Sequence, residues 1–537
     1  MSWNFCSAME ELSRSRIADR PALIHDDSAI SYRVLGERIR AIGAWLQAMN
    51  VAPGSHVGHY MRNSNAYLEV FAGSGLVGCT HVNVNYRYRD EELGYLAEKL
   101  DITIWFYERE FAGQVEKLRS QLGAHALFIE IGEGDPVNSF AYPLCALYEF
   151  SGRQIEITAS SDDVVIIATG GTTGLPKGTQ WRQSDLWWKQ DVCRTASLYP
   201  LKLKDNPASL AEHIENVCRV PQTGPIMPLC PLMHGTGLLV ALLYLAQGTP
   251  IATLTQPRFD ADRTLDAIQR LGVTGVVIVG DAFALPLLEA QDQRPAEDTL
   301  ASLKFLITSG VALSAENKQR FRAHRPGLLI VDNLGSSEAV GYARATGEPG
   351  VFQPNPTTRI LDEADRDVVP GSGVPGMVYS GGYVPIGYYN EPEKSAQTFV
   401  EIDGRRYVNT GDRCTVREDG CIEFLGRDST VINTGGEKVF TAEVERVLTD
   451  HPGVLDALVL GIEDARFGSK VAAAVVPADG QKPGTLIEEL ARLSRERLAD
   501  YKAPRVMLTV DAIARAPNGK PDYAAMRALF DSADVGP

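Results

Sequence analysis

Two hydrophobic rhythms alternate along the chain. Leu35, Ile39, Ile42, Leu46 and Met49 fall three or four residues apart and predict an amphipathic helix, after which "VAPGSHVGHY" (51–60) reads as a turn and a strand. Further on, "VTGVVIVG" (273–280) and "GLLIVDNLG" (327–335) are short, β-branched runs edged by glycine, the pattern of buried strands. The longest apolar run, "GLLVALLYLA" (237–246), is far shorter than the ~20 residues a membrane span requires and predicts a buried core helix. Strand-like runs separated by helical segments predict an α/β fold with mixed, largely parallel sheets and flanking helices.

With 537 residues the chain exceeds what one core of ~250 to 300 residues can serve. The pattern restarts after "FLGRDSTVINTGGEKVF" (424–440) with "TAEVERVL", the strand-like "DALVLGI" and "VAAAVV", and a helix bearing Leu486, Leu490 and Leu493. We therefore expect a large N-terminal domain over 1–427 and a small α+β domain over 428–537. The segment "YPLKLKDNPASLAEHIENVCRVPQTGP" (199–225) is polar and proline-bearing between apolar blocks, and reads as a mobile surface insertion.

Composition narrows the partners. The apolar share is 44%, the charged share 22% and the formal charge −16, which argues against a nucleic-acid or anionic-membrane surface, since both need clustered lysine and arginine. A local cluster of cations could still hold an anionic ligand. The start, "MSWNFCSAMEELSRSR", lacks the basic-then-apolar layout of a signal peptide, so the expected location is the cytoplasm with no integral membrane association. Eight scattered cysteines without CxxC pairs predict packed thiols in place of a zinc site or disulfide framework.

The chemistry concentrates in "IIATGGTTGLPKGTQW" (166–181), an apolar run that gives way to glycine, threonine and one lysine. Glycines let backbone N–H groups converge on a phosphate, threonines add hydroxyl donors and lysine adds charge. Leu175 and Pro176 separate Gly174 from Lys177, so the string is not a Walker A loop. A solvated turn is the plain alternative.

The ten-residue string "TGGTTGLPKG" (169–178) resembles the phosphate loop of the adenylate-forming (ANL) superfamily of acyl-CoA synthetases, peptide-synthetase adenylation domains and luciferases. Five further stretches match that family in order: "PLMHGTG" (231–237), "LGSSEA" (334–339), "YVNTGDRC" (407–414), the Gly-Arg segment within 424–440, and "APNGKPDY" (516–523). The resemblance spans nearly the whole chain. It implies ATP, Mg²⁺ and CoA as cofactors or cosubstrates, and a reaction in two halves. A carboxylate attacks the α-phosphorus of ATP to give an acyl-adenylate and pyrophosphate, and a thiol then displaces AMP.

The same resemblance implies roles residue by residue. Thr169, Gly170, Gly171, Thr172, Thr173, Gly174 and Lys177 would cradle the β and γ phosphates, with Gly170 standing where the family usually has serine. Gly335, Ser336 and Ser337 would flank the nucleotide, and Glu338 would hold Mg²⁺, although a carboxylate opening a helix would look the same in sequence. Leu334 replaces the tyrosine that stacks on adenine. Asp412 would accept the ribose hydroxyls, unless it is only a turn former, and Arg427 would make a second ribose or phosphate contact. Lys520 would bridge substrate carboxylate and α-phosphate. Asp428 would be the hinge about which the C-terminal domain swings, and Gly435 and Gly436 would line the pantetheine channel.

His234 would border the acyl pocket, with a packed core histidine as the alternative, and Gly310, Val311, Ala312 and Gly335 would line it, with ordinary sheet packing as the alternative. The combination of "GGTTGLPKGTQWRQSD", "PLMHGTG", "VVIVGDAF" and "NLGSSE" resembles the subgroup that handles bulky, steroid-like acids. Asp281 falls where the peptide-synthetase branch binds an amino group. Medium- or long-chain fatty acids, a separate carrier protein as acceptor, and a nucleotide-binding protein with little turnover stay open. A homodimer follows family habit alone.

Overall fold

The computed structural model describes residues 3–170, 176–190, 207–311, 313–427, 430–434, 437–464, 468–515 and 521–532. Contacts group the chain into two compact units, Met1–Gly341 with Gly382–Val408, and Tyr342–Gly381 with Asn409–Pro537. Thus 342–381 and 409–427 pack with the C-terminal segment, whereas composition suggested nothing but a single cut near 427.

The first unit is α/β with two sheets. One runs, strand by strand, Leu329–Leu334, Phe305–Ser309, Gly275–Ile278, Ile226–Pro228, Ile251–Thr253, Pro21–His25 and Ser28–Ser31. Its pairings are parallel up to the edge hairpin of the last two strands. The other runs Gly387–Tyr388, Pro176–Arg182, Val164–Gly170, Thr80–Asn83, His56–Tyr60, Ile102–Glu108, Leu127–Ile131 and Tyr142–Pro143. It is parallel except for the first two pairings, which are antiparallel. Continuous β-branched runs suit strands covered on both faces.

Helices fill the space that the apolar patterns require. Tyr32–Ala48 is capped by Ser31, whose hydroxyl accepts from Val34 N–H, and it buries Leu35, Ile39, Ile42 and Leu46. The run read as a core helix forms Gly235–Leu245 and is buried over most of its circumference. Its Leu238 and Leu242 share one core with Val165 and Ile167 of the second sheet and Val277 and Val331 of the first. Among the described residues no helix is long and apolar enough to cross a membrane.

The polar segment at 199–225 needs correction. Leu210–Arg219 is a helix capped by Ser209, and it buries Leu210, His213, Ile214 and Val217. The His213 ring meets Trp187 at 5.1 Å. That part is a packed element and not a surface insertion; residues 199–206 lie outside the described residues.

In the second unit, an antiparallel sheet includes Thr358–Leu361, Gly376–Ser380, residues 409–416, Ile422–Arg427, Val351–Pro354 and Ala343–Ala345. A smaller sheet, Val454–Asp464, Gly468–Pro477 and Val506–Thr509, is covered on both faces. Alternation decides which side chain goes where: Val459, Val471, Ala473 and Val475 pack with Leu486 and Leu490, while Leu458, Leu460, Ala472 and Ala474 pack with Met526 and Phe530. The seven cysteines among the described residues are free thiols.

Candidate active site

The phosphate-loop string is built on a hairpin. Val164–Gly170 and Pro176–Arg182 pair antiparallel, with Thr169 opposite Lys177 and Gly170 opposite Pro176. Gly171, Thr172, Thr173 and Gly174, which join the strands, lie outside the described residues. Apolar alternation seats the hairpin: Val165, Ile167 and Trp181 are fully buried.

Three side chains tie this hairpin to the motif loops. Asn83, buried on the neighbouring strand, donates from Nδ2 to the carbonyls of Ala168 (2.9 Å) and Met233 (2.5 Å) and accepts at Oδ1 from Ala168 N–H (2.6 Å). It therefore fixes both the residue before Thr169 and the residue before His234. Trp181 donates from Nε1 to the carbonyl of Ser337 at 2.8 Å. Lys177 places its ammonium 5.2 Å from the ring centroid of Tyr388, a cation–π distance, and the Tyr388 hydroxyl donates to Glu338 Oε1 at 2.8 Å.

Glu338 opens no helix, which removes that reading of it. It lies in a tight turn held by Ser336 N–H donating to Ala339 O (3.0 Å) and Ala339 N–H donating to Ser336 Oγ (3.1 Å). Gly335 is required there, since a Cβ would sit 2.7 Å from Gly341 N and 3.0 Å from Ala339 O. Leu334 ends the strand Leu329–Leu334 and is half-buried.

His234 precedes the helix Gly235–Leu245 at its N-cap position, with no side-chain cap bond. Its loop is also held by Asn63, which accepts from Leu232 N–H and donates to the carbonyls of Pro228 and Cys230. Gly310 follows the strand Phe305–Ser309 with φ +90°, a conformation that favours glycine. Val311 is half-buried beside it, and Ala312 lies outside the described residues. Asp281 Oδ1 accepts from Ser314 N–H (3.1 Å), Ser314 Oγ (3.3 Å) and Asn317 Nδ2 (2.9 Å). That oxygen is engaged at the start of the helix Ala315–His324, a structural task that accounts for the carboxylate without an amine ligand.

In the second unit Asp412 is 2% exposed and stands directly opposite Arg427 across an antiparallel pair. Its Oδ1 accepts from Arg427 Nε at 3.1 Å and its Oδ2 from the Tyr342 hydroxyl. The turn before it is served by other groups: Gly411 N–H donates to Asn409 Oδ1, and Asp412 N–H to Thr410 Oγ1. Asn409 and Thr410 therefore perform the turn-forming role that the sequence context also allowed for Asp412. Burial, reinforced by the Asp412 charge, pushes the Tyr342 phenol well above its ordinary value, so it remains a neutral donor. The expected Asp428, Gly435, Gly436 and Lys520 lie outside the described residues.

Sequence reasoning missed Asn83, Trp181, Tyr342 and Tyr388. Trp181 closes the glycine-rich string 166–181 but carries no phosphate-binding group, the other three stand outside that string, and the partners of all four are distant in sequence.

A two-sheet α/β unit bearing a glycine-threonine hairpin beside a carboxylate turn is the frame of an adenylate-forming enzyme. The chain belongs to the AMP-binding enzyme family, whose pattern matches residues 11–389, and the AMP-binding enzyme C-terminal domain matches residues 443–520. It is 34% identical to the medium/long-chain-fatty-acid–CoA/3-oxocholest-4-en-26-oate–CoA ligase of Mycobacterium marinum, over 94% of this chain and 93% of that one. It is 32% identical to the 3-oxocholest-4-en-26-oate–CoA ligase of Rhodococcus rhodochrous, over 94% and 92%. A crystal structure of an anthranilate CoA ligase with anthranoyl-AMP matches in fold, with a TM-score of 0.82 at 22% identity over 98% of this chain and 97% of that one.

Proposed function

We propose that the chain is an AMP-forming acyl-CoA synthetase for a bulky, steroid-like carboxylic acid, working on soluble acid and CoA in the cytoplasm. The observation that supports it most is the convergence of Lys177 and Glu338 on Tyr388 at the base of the phosphate-loop hairpin. A cation and a carboxylate that share one anchored tyrosine are what a metal-bound polyphosphate needs.

Thr169, Lys177 and the loop between them take the β and γ phosphates, and leave them as pyrophosphate once the substrate carboxylate has bonded to the α-phosphorus. Glu338 fits a hard cation: Oε1 is held by Tyr388, and among the described residues Oε2 has no hydrogen-bond or ion-pair partner. Mg²⁺ held there would neutralise phosphate charge, as suits an ion with few protein ligands. Asp412, oriented by Tyr342 and Arg427, takes the ribose hydroxyls. Lys520 stabilises the charge that develops on the α-phosphate, and the Gly435–Gly436 segment admits the pantetheine thiol after rotation at Asp428. Electrostatic preorganisation dominates both halves.

The steroid-like acid is suggested by the names of both relatives, and the double name of the Mycobacterium marinum ligase supports a second reading, in which medium- or long-chain fatty acids are also taken. The test is to supply ATP and Mg²⁺ with a panel of steroid, terpenoid and straight-chain acids, with and without CoA, and to measure AMP, pyrophosphate and thioester by mass spectrometry. Pyrophosphate release without thioester would point to a carrier protein, and no AMP with any acid would support a nucleotide-binding protein of little turnover.

A further inference from the structure

We infer that Tyr388 is a positioning residue that sets the metal-binding carboxylate and the phosphate-loop lysine in register with each other. The inference rests on the nucleotide-binding part of the proposed function. Tyr388 lies on the short strand Gly387–Tyr388, which pairs directly with the strand leaving the phosphate loop, Gly387 opposite Gln180 and Tyr388 opposite Thr179. Its place is fixed on several sides. The backbone N–H donates to Ser395 Oγ at 2.9 Å, the ring packs edge-on against Phe399 at 5.2 Å, and the residue is 7% exposed.

From that anchored position it makes two contacts of different kind. The hydroxyl donates to Glu338 Oε1, and the ring face receives the Lys177 ammonium. The first contact has a consequence for coordination. One carboxylate oxygen already accepts from a fixed neutral donor, which orients the Glu338 carboxylate and leaves Oε2 as its more open oxygen for a metal ion. The second contact holds a cation that would otherwise sample many rotamers, without engaging any of its three N–H donors, which are left for phosphate. A direct Lys177–Glu338 ion pair would quench both groups. The ring keeps them near the same polyphosphate while each stays available. Trp181, gripping the Ser337 carbonyl from the same strand as Lys177, holds the other end of the Glu338 turn.

The test is Tyr388→Phe, which removes the hydroxyl and keeps the ring. ATP binding is followed by titration calorimetry at varied free Mg²⁺, alongside AMP formation. The Mg²⁺ concentration at half-maximal ATP binding should rise about tenfold, the size of one hydrogen bond to a charged acceptor. Thioester formation from synthetic acyl-adenylate and CoA should stay at the wild-type rate. Glu338→Gln should raise the Mg²⁺ requirement further, and Tyr388→Phe should add nothing in that background. Tyr388→Leu should weaken ATP binding even at saturating Mg²⁺, because Lys177 loses its seat.

A folded Tyr388→Phe protein with the wild-type Mg²⁺ midpoint overturns the inference. So does an effect that multiplies independently with Glu338→Gln, or equal loss of both half-reactions. If the Tyr388→Phe chain does not fold, Glu338→Asp, which withdraws the carboxylate from the hydroxyl, takes its place in the same titration. Wild-type protein that binds MgATP but adenylates no acid removes the ligase reading while the Mg²⁺ midpoint still decides the role of Tyr388. Wild-type protein that binds no MgATP removes both.

Discussion

Replacing Asp412 by asparagine changes one atom in a buried cluster, and the donors that Arg427 and Tyr342 supply allow its effect to be worked through. Both carboxylate oxygens accept in the folded chain, Oδ1 from Arg427 and Oδ2 from Tyr342. An amide has only one accepting oxygen. Arg427 can only donate, whereas the Tyr342 hydroxyl can turn and accept, so the introduced amide should settle with its oxygen toward Arg427 and its NH₂ toward Tyr342. Arg427 keeps an acceptor, but the buried Tyr342 O–H loses its own, at about 1 to 3 kcal/mol, and the Arg427 bond loses the carboxylate's charge, worth about 1 kcal/mol. The Arg427 side chain is 38% exposed, so its share is smaller. The fold should lose about 2 to 3 kcal/mol.

The larger effect falls on the ribose. An ionised carboxylate can accept about four hydrogen bonds, so it can serve ligand hydroxyls as a charged acceptor in addition to its protein donors. Losing that acceptor should weaken ATP binding by about 2 kcal/mol, roughly 30-fold. The assay is titration calorimetry with ATP, 2′-deoxy-ATP and 3′-deoxy-ATP. Wild type should discriminate against both deoxy forms, and Asp412→Asn should lose most of that discrimination. If wild type and variant lose affinity equally when a ribose hydroxyl is removed, Asp412 does not contact the ribose.

Lys520→Ala should slow adenylation ~10² to 10³-fold while leaving thioester formation from synthetic acyl-adenylate in place; stopped-flow measurement of the two half-reactions separates them, and equal loss in a folded variant refutes the role. Asn83→Ala strips partners from Ala168 N–H and from the Ala168 and Met233 carbonyls, which should cost at least about 3 kcal/mol in urea unfolding at 1 to 3 kcal/mol per orphaned buried group; a change under about 1 kcal/mol means the site takes in water freely. Burial lowers the His213 pKa to about 4. The folded value lies below the ordinary ~6.5, so its stabilising contribution is full above pH ~6.5 and is lost as pH falls. Between pH 7.5 and 5.5 the stability difference between wild type and His213→Gln should therefore shrink by about 1.4 kcal/mol, and a constant difference would mean that His213 titrates normally.

How much of this was legible in the sequence depends on how local the signal was. The core helix at Gly235–Leu245 and the helix bearing Leu486 and Leu490 followed from apolar spacing, because their environment is uniformly apolar along one face or all around. Asp412 and Glu338 were singled out by resemblance alone, and nothing in the sequence pointed to their surroundings. Tyr388 lies 50 residues from Glu338, and Trp181 lies 156 from Ser337. Such contacts arise only when a sheet forms, since strand pairing between 387–388 and 179–180 has no local signature. The helix Leu210–Arg219 shows the opposite failure. Leu210, Ile214 and Val217 were spaced for a helix, and overall polarity hid them. Grouping 342–381 with the C-terminal segment likewise depends on contacts between strands, and no change of composition marks it.

The most direct measurement of the central claim is ATP-dependent conversion of a 3-oxo-steroid side-chain acid to its CoA thioester, followed by mass spectrometry with AMP and pyrophosphate counted in the same reaction. Equal amounts of thioester, AMP and pyrophosphate, dependent on acid, CoA and Mg²⁺, are the expected result. ADP and inorganic phosphate in place of AMP and pyrophosphate, or no AMP with any acid in the panel, would contradict it.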